Sequence, residues 1–323
     1  MKIILLKKFV NDGFIIFIIF LIAIGIRLWG IDFGLPYLYH PDEPNKIEIA
    51  QRILKTHDIN PHYFLKPPFY IYLNALAYIP YIVIERISGN SMSIKELQPP
   101  VLLTMGTGYT SQPDTVLIGR LLSLLFGSLS AILTYLLVIR ALENRLTAIL
   151  SALFIAISPG LTPHSRFITP DSLVVFFCLL TAYTSTGIYK RGRVTDYILA
   201  GISGALAASV KYNAVIVLLL PAVAHLLIRN GLVGGIKDKK ILISILTAPV
   251  MFLLLNPIVV LKFKEFYQGA SFEASHYATG HEGMEGSTFS WYINYFWNTE
   301  GLLALIGLVR MAVGIFKRQK TSI

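Results

Sequence analysis

The sequence predicts an all-α polytopic membrane protein with about eight transmembrane helices, and three observations carry that expectation. Charged residues make up only 14% of the 323 positions and hydrophobic residues 54%, against about 25% charged in a soluble domain. Apolar runs near the roughly 20 residues needed to cross a bilayer recur along the chain. Charge is also sorted, with basic residues clustering at the ends of alternate runs and acidic residues gathering in the remaining loops.

Residues 14–30 form the first run. Lys2, Lys7 and Lys8 precede it, as in a signal peptide. The run is nevertheless too long for a signal core and lacks a small-residue cleavage site, so a retained span is expected. Further spans are expected over 117–139, 146–163, 172–189, 240–258 and 291–315. Residues 196–228 exceed one span, and Lys211-Tyr212-Asn213 divides them into two short helices. Gly201, Gly204 and Ala208 suit the first of these to close helix packing.

Residues 68–84 are apolar as well. A crossing there would move the later basic clusters outside and put the 162–171 loop opposite Asp42. They are therefore read as a helix lying in or dipping into the interface, with Tyr70, Tyr72, Tyr78 and Tyr81 as an aromatic belt. Ile47, Ala50, Ile53 and Leu54 recur at helical spacing, which predicts a second surface helix over 45–56. Residues 85–116 are polar with Gly and Pro and read as an outer loop. The whole chain, 1–323, reads as one transmembrane domain with outer loops 31–116, 162–171 and 259–290.

With the N-terminus cytoplasmic, 15 of the 28 basic residues fall in five short inner stretches, as the positive-inside rule requires. The outer loops hold 12 of the 18 acids. Acids do little to set orientation, so their gathering on one side predicts a polar, extracytoplasmic active face. The net charge of +10 is accounted for by these juxtamembrane clusters, and no nucleic-acid recognition motif accompanies it. Cys178 is the only cysteine, which excludes an intrachain disulfide and a Cys-based zinc site.

Several polar groups are candidates for chemistry. Asp42-Glu43, in Tyr39-His40-Pro41-Asp42-Glu43-Pro44, can act as a general base near lipid or start the helix that follows. Lys66-Pro67-Pro68 offers a stiffened lysine, either a clamp on a lipid phosphate or a snorkelling side chain. In His164-Ser165-Arg166-Phe167-Ile168-Thr169-Pro170-Asp171, Arg166 can bind phosphate and Asp171 line the same cavity, or the two can form a loop ion pair. Lys211 is a phosphate contact or a snorkelling residue. Glu273, His276, His281 and Glu282 could ligate a divalent metal, although their spacing matches no strong zinc pattern. Contacts from a Gly-rich lid to sugar or phosphate are the equal alternative.

These motifs occur in the order seen in one group. The Asp-Glu pair after the first span, Lys66-Pro67-Pro68, Arg120-Leu-Leu-Ser, Ser165-Arg-Phe-Ile-Thr-Pro-Asp171 and His276-Tyr…His281-Glu-Gly make the chain resemble C-type glycosyltransferases of family 39. That family includes protein O-mannosyltransferases and aminoarabinose transferases. The resemblance, over about residues 14–300, implies a multispan helical fold with surface helices in the first outer loop. It also implies transfer of a sugar from a polyprenyl-phosphate donor to a protein, lipid or glycan acceptor. By motif, Asp42 would be the base with Glu43 beside it. Lys66 and Arg166 would hold the departing phosphate, Asp171 would organise the pocket, and His276 and His281 would sit in the lid. Some relatives carry an acid directly before the lysine of the Lys-Pro-Pro turn. That position is Leu65 here, so a metal site using such an acid is not carried over.

Two other classes fit the composition. A transporter or flippase of lipid-linked or anionic substrates would place its polar groups near the midplane, often between repeats. Here they cluster at one face and no repeat is visible. A non-catalytic partner subunit would keep the motifs as loop scaffolding.

Overall fold

The computed structural model describes residues 2–90, 92–104, 107–228, 232–279, 287–301, 305–307 and 309. It is mostly helical. The elements are α1 (Lys2–Leu28), β1 (Tyr37–Leu38), α2 (Asp42–Thr56), α3 (Pro68–Ile87), β2 (Val101–Thr104), β3 (Thr107–Tyr109), α4 (Pro113–Leu142), α5 (Arg145–Ile157), α6 (Asp171–Lys190) and α7 (Val194–Val210). A 3₁₀ turn over Tyr212–Leu218 then runs into α8 (Leu219–Ile228), followed by α9 (Leu232–Lys237), α10 (Ile241–Leu255), α11 (Ile258–Leu261), α12 (Phe263–Thr279) and α13 (Thr288–Glu300).

Among the described residues two helices, α4 and α6, are long and apolar enough to cross a membrane, and α5, α7, α10 and the 212–228 segment are shorter apolar helices. The faces are sorted as lipid-facing helices require. α4 buries Ser123, Ser128, Ser130 and Thr134 while exposing Leu121 and Leu125, and α10 buries Ser244 and Ala248 while exposing Ile245, Leu246, Val250 and Leu254. Small and hydroxyl side chains let helix backbones approach where lipid supplies no hydrophobic drive. Ala148, Ala152 and Ala156, four residues apart on α5, are fully buried against Ile19 and Ala23 of α1 and Ala131 and Tyr135 of α4. Gly201 follows the same logic. A Cβ there would sit 3.0 Å from the Ser244 carbonyl oxygen and 3.2 Å from its Cα, so α7 and α10 meet backbone to backbone.

Polar bonds fix which helix ends share a side. At one end Arg145 pairs with Asp12, Lys190 with Glu143, and Lys240 donates to the Gly192 carbonyl. At the other, fully buried Arg27 of α1 donates to Ala156 and Ile155 at the end of α5 and to Ser165. These bonds hold α1, α5 and the 162–171 loop together. The start of α4 reaches the same end through Arg120, and the end of α7 does so through Lys211 and Asp171. The acidic loops therefore share one end, and Arg140, Arg145, Lys190, Arg191 and Lys240 the opposite one.

α3 stays at the site end. Tyr78 and Ile82 of its second half pack on Ile49, Ala50 and Ile53 of α2 and on Leu97, all from the first outer segment. Two segments differ from expectation. The 85–116 stretch contributes β2 and β3, which join β1 in an antiparallel sheet of order β1-β3-β2, with Tyr37 opposite Tyr109 and Tyr109 opposite Val101. The 259–290 loop is helical as far as Thr279, in α11 and α12. The span expected over 291–315 is described as α13 only to Glu300.

Candidate functional site

α2 begins at Asp42, capped by Pro41 without a side-chain bond, so Asp42 is the first helical residue and not the cap. Its backbone N–H donates to His40 Nδ1 at 3.2 Å, which fixes that ring nitrogen as an acceptor. Burial lowers the His40 pKa, against the opposing pull of Asp42 and Glu43, and so favours that neutral form. Among the described residues nothing hydrogen-bonds to the Asp42 carboxylate.

Glu43 points the other way, about 100° round the helix. It is fully buried, and Arg120 Nε and Nη2 donate to its two oxygens at 2.8 Å each. The Ile168 N–H donates to it at 3.0 Å, and Arg120 Nη1 donates to the carbonyls of Ile31 and Phe33. Three of the roughly four acceptor positions of this carboxylate are thus taken within the protein. Sequence places Glu43 in the chemistry beside Asp42, whereas here its bonds go to Arg120 and Ile168. It clamps α2, α4 and two outer loops together.

Lys66 lies between Phe64 and the Pro67-Pro68 start of α3. The segment is tied down on both sides. Tyr212 donates to the Phe64 carbonyl, Phe69 N–H donates to Asn256 Oδ1, and Asn256 Nδ2 donates to Ser209. Lys66 pairs with Glu273 of α12. Burial lowers the pKa of its ammonium to about 8, Lys211 adding to the shift and Asp42 opposing it. Lys211, just past α7, donates to Asp171 Oδ1 at 3.0 Å, and His164 Nδ1 stands 3.9 Å from Asp171 Oδ2. Lys66, Lys211, Tyr212, Asn213, Glu273 and Tyr292 border one cavity of about 490 Å³. A second cavity of about 480 Å³, almost wholly apolar, lies between α7, the 212–228 segment and α10, and Tyr212 borders both.

Arg166 is not brought to the lysines. Its Nη2 donates to the Ile26 carbonyl at the end of α1, 2.9 Å away, where a helix C-terminus attracts a cation. Arg166 is not among the residues bordering the cavity that holds Lys66 and Lys211. His276 lies on α12 one turn past Glu273, its ring stacked on Phe272, and is not among the residues bordering the polar cavity. His281 lies outside the described residues. Among the described residues no three His, Cys, Asp or Glu side chains gather closely enough to hold a metal.

One residue escaped the sequence reading and another entered it in a different role. Glu273 entered it only as a metal or lid ligand. Lys46, one turn after Asp42, reads as a surface-helix lysine, but it is buried and donates to Tyr63 Oη at 3.2 Å. Burial lowers its pKa and Asp42 raises it. Its spacing of four from Asp42 is the one available signal.

This is a helical scaffold that gathers carboxylates and lysines at one end beside an apolar groove. Residues 91–267 match the profile of the dolichyl-phosphate-mannose-protein mannosyltransferase family, more than half of the chain, and the chain belongs to that family. No curated protein matches it in sequence. Among solved structures it is similar to the S. cerevisiae protein O-mannosyltransferase Pmt1-Pmt2 complex bound to the sugar donor, at 17% identity and a TM-score of 0.48 over 80% of this chain and 34% of that one. It is also similar to the Archaeoglobus fulgidus oligosaccharyltransferase tethered with an acceptor peptide, at 14% identity and a TM-score of 0.49 over 94% of this chain and 38% of that one. The chain thus spans about a third of the length of these proteins.

Proposed function

We propose that this chain is a multi-pass membrane glycosyltransferase of about eight spans, with a cytoplasmic N-terminus and an extracytoplasmic active face. It moves a sugar from a polyprenyl-phosphate donor to an acceptor hydroxyl. One observation carries the reading: the cavity holding Lys66 and Lys211 meets an apolar groove at Tyr212. A ligand with an anionic head and a hydrocarbon tail fits that pairing, and family membership supports it. The charge of Asp42 opposes the lowering of the Lys66 pKa, which supports assigning the two to one site.

In this reading Asp42 takes the acceptor proton while the hydroxyl oxygen bonds to the anomeric carbon. The bond from that carbon to the phosphate oxygen breaks, and the electron pair stays on the phosphate. Lys66 and Lys211 stabilise that growing charge from fixed positions. Asp171 holds Lys211, and His40 holds the Asp42 backbone.

The test is transfer from a radiolabelled polyprenyl-phosphate sugar in membrane extract. Asp42→Asn is expected to lower transfer by about 10²-fold or more, the usual worth of a general base. Wild-type activity that survives in Asp42→Asn overturns the assignment. Label crossing vesicles without transfer supports a transporter instead, and silence in both assays supports a scaffold subunit.

A further inference from the structure

We propose that Glu273 is an internal competitor for phosphate, a carboxylate that occupies Lys66 when the cavity holds no phosphorylated lipid and reclaims it as product leaves. The proposal rests on the reading that this cavity takes phosphate.

The geometry starts at Gly269. A Cβ there would lie 2.7–2.8 Å from Phe64 Cβ, carbonyl carbon and carbonyl oxygen, so α12 sits directly on the backbone that leads to Lys66. Glu273 is four residues on, on the same face of the helix. That face delivers its carboxylate to the Lys66 ammonium, and the two side chains are 10% and 16% exposed. Glu273 and both lysines border the same cavity.

Charge explains why a competitor is useful there. A sugar phosphodiester carries one negative charge. The polyprenyl monophosphate left after transfer carries about −1.5 to −2 at neutral pH. Two half-buried lysines therefore attract product more strongly than donor. Without a counterweight the product would hold the site. A carboxylate already seated on Lys66 taxes both ligands, and it supplies the replacement partner that a half-buried lysine needs when the dianion departs. Glu273 has to withdraw when phosphate arrives, since two anions sharing one ammonium repel each other.

The experiment measures binding of geranylgeranyl phosphate, an isoprenyl monophosphate, to the full chain in detergent. Glu273→Gln is expected to bind it about tenfold more tightly than wild type. Glu273→Asp keeps the charge but shortens the reach, and is expected to fall between the two. Lys66→Gln is expected to bind at least about tenfold more weakly. A Glu273→Gln variant that binds equally or more weakly, while Lys66→Gln weakens binding, overturns the competitor and leaves the cavity assignment standing. Binding unchanged in Lys66→Gln overturns the cavity assignment itself. A purely structural role for Glu273 would weaken binding on substitution, so tightening is the discriminating sign.

Discussion

Replacing Glu43 tests the separation of the two adjacent acids. In Glu43→Leu the Arg120 guanidinium stays fully buried, with its Nε and Nη2 donors and the Ile168 N–H all losing their acceptor. Removing one partner of a buried, hydrogen-bonded pair costs about 3–5 kcal/mol. At a few degrees per kcal/mol, the melting temperature should fall by roughly 10 °C. Adding Arg120→Met removes the stranded charge, although the Ile31 and Phe33 carbonyls then lose their donors. The double variant should therefore recover part of the loss, with a coupling energy of about 3 kcal/mol. Thermal unfolding in detergent, followed by tryptophan fluorescence, gives all four corners of the cycle. Strictly additive losses, or a Glu43→Leu protein melting within about 2 °C of wild type, would refute the clamp and return Glu43 to the list of candidates for chemistry.

Two further expectations follow from local geometry. The bond from the Asp42 N–H to His40 Nδ1 requires neutral histidine, and burial lowers the His40 pKa. Its stabilising share is therefore complete above the ordinary histidine pKa near 6.5 and disappears as pH falls through the lower folded value. The melting-temperature gap between wild type and His40→Gln should shrink from pH 7.5 to pH 5, and a gap that widens would contradict the bond. Gly201→Leu should cost roughly 1–3 kcal/mol by forcing α7 off the Ser244 backbone. Gly25→Leu, with open space around its Cβ position, is the control and should melt like wild type.

What the sequence made legible tracks how local each signal is. α4 and α6 each carry their evidence in one long, mainly apolar run, and their observed bounds lie within a few residues of expectation. The sheet was hidden because its strands are two to four residues long and β1 finds its partner some seventy positions away. Such pairing leaves no periodicity to read. α12 mixes aromatic, charged and small residues too evenly for a helix to stand out from the expected loop.

At the site, sequence order showed which loops carry polar groups but not which way they turn. Asp42 and Glu43 are neighbours in the chain, yet a helix sends them to different surroundings, and only the position of Arg120 decides between them. Arg166 and Asp171 are near in sequence, but one reaches back to α1 and the other across to Lys211. Lys46 reads as a solvated lysine because burial by Tyr63 is invisible until the 57–67 segment folds over it.

Tyr212 is shared by the apolar groove and the polar chamber. In the proposed reading, a lipid donor reaches both compartments sideways, in the plane of the bilayer, without leaving the lipid. Its effective abundance is then counted per unit of membrane rather than per litre. Diluting a sample with buffer should leave occupancy unchanged, while diluting it with extra lipid should lower it.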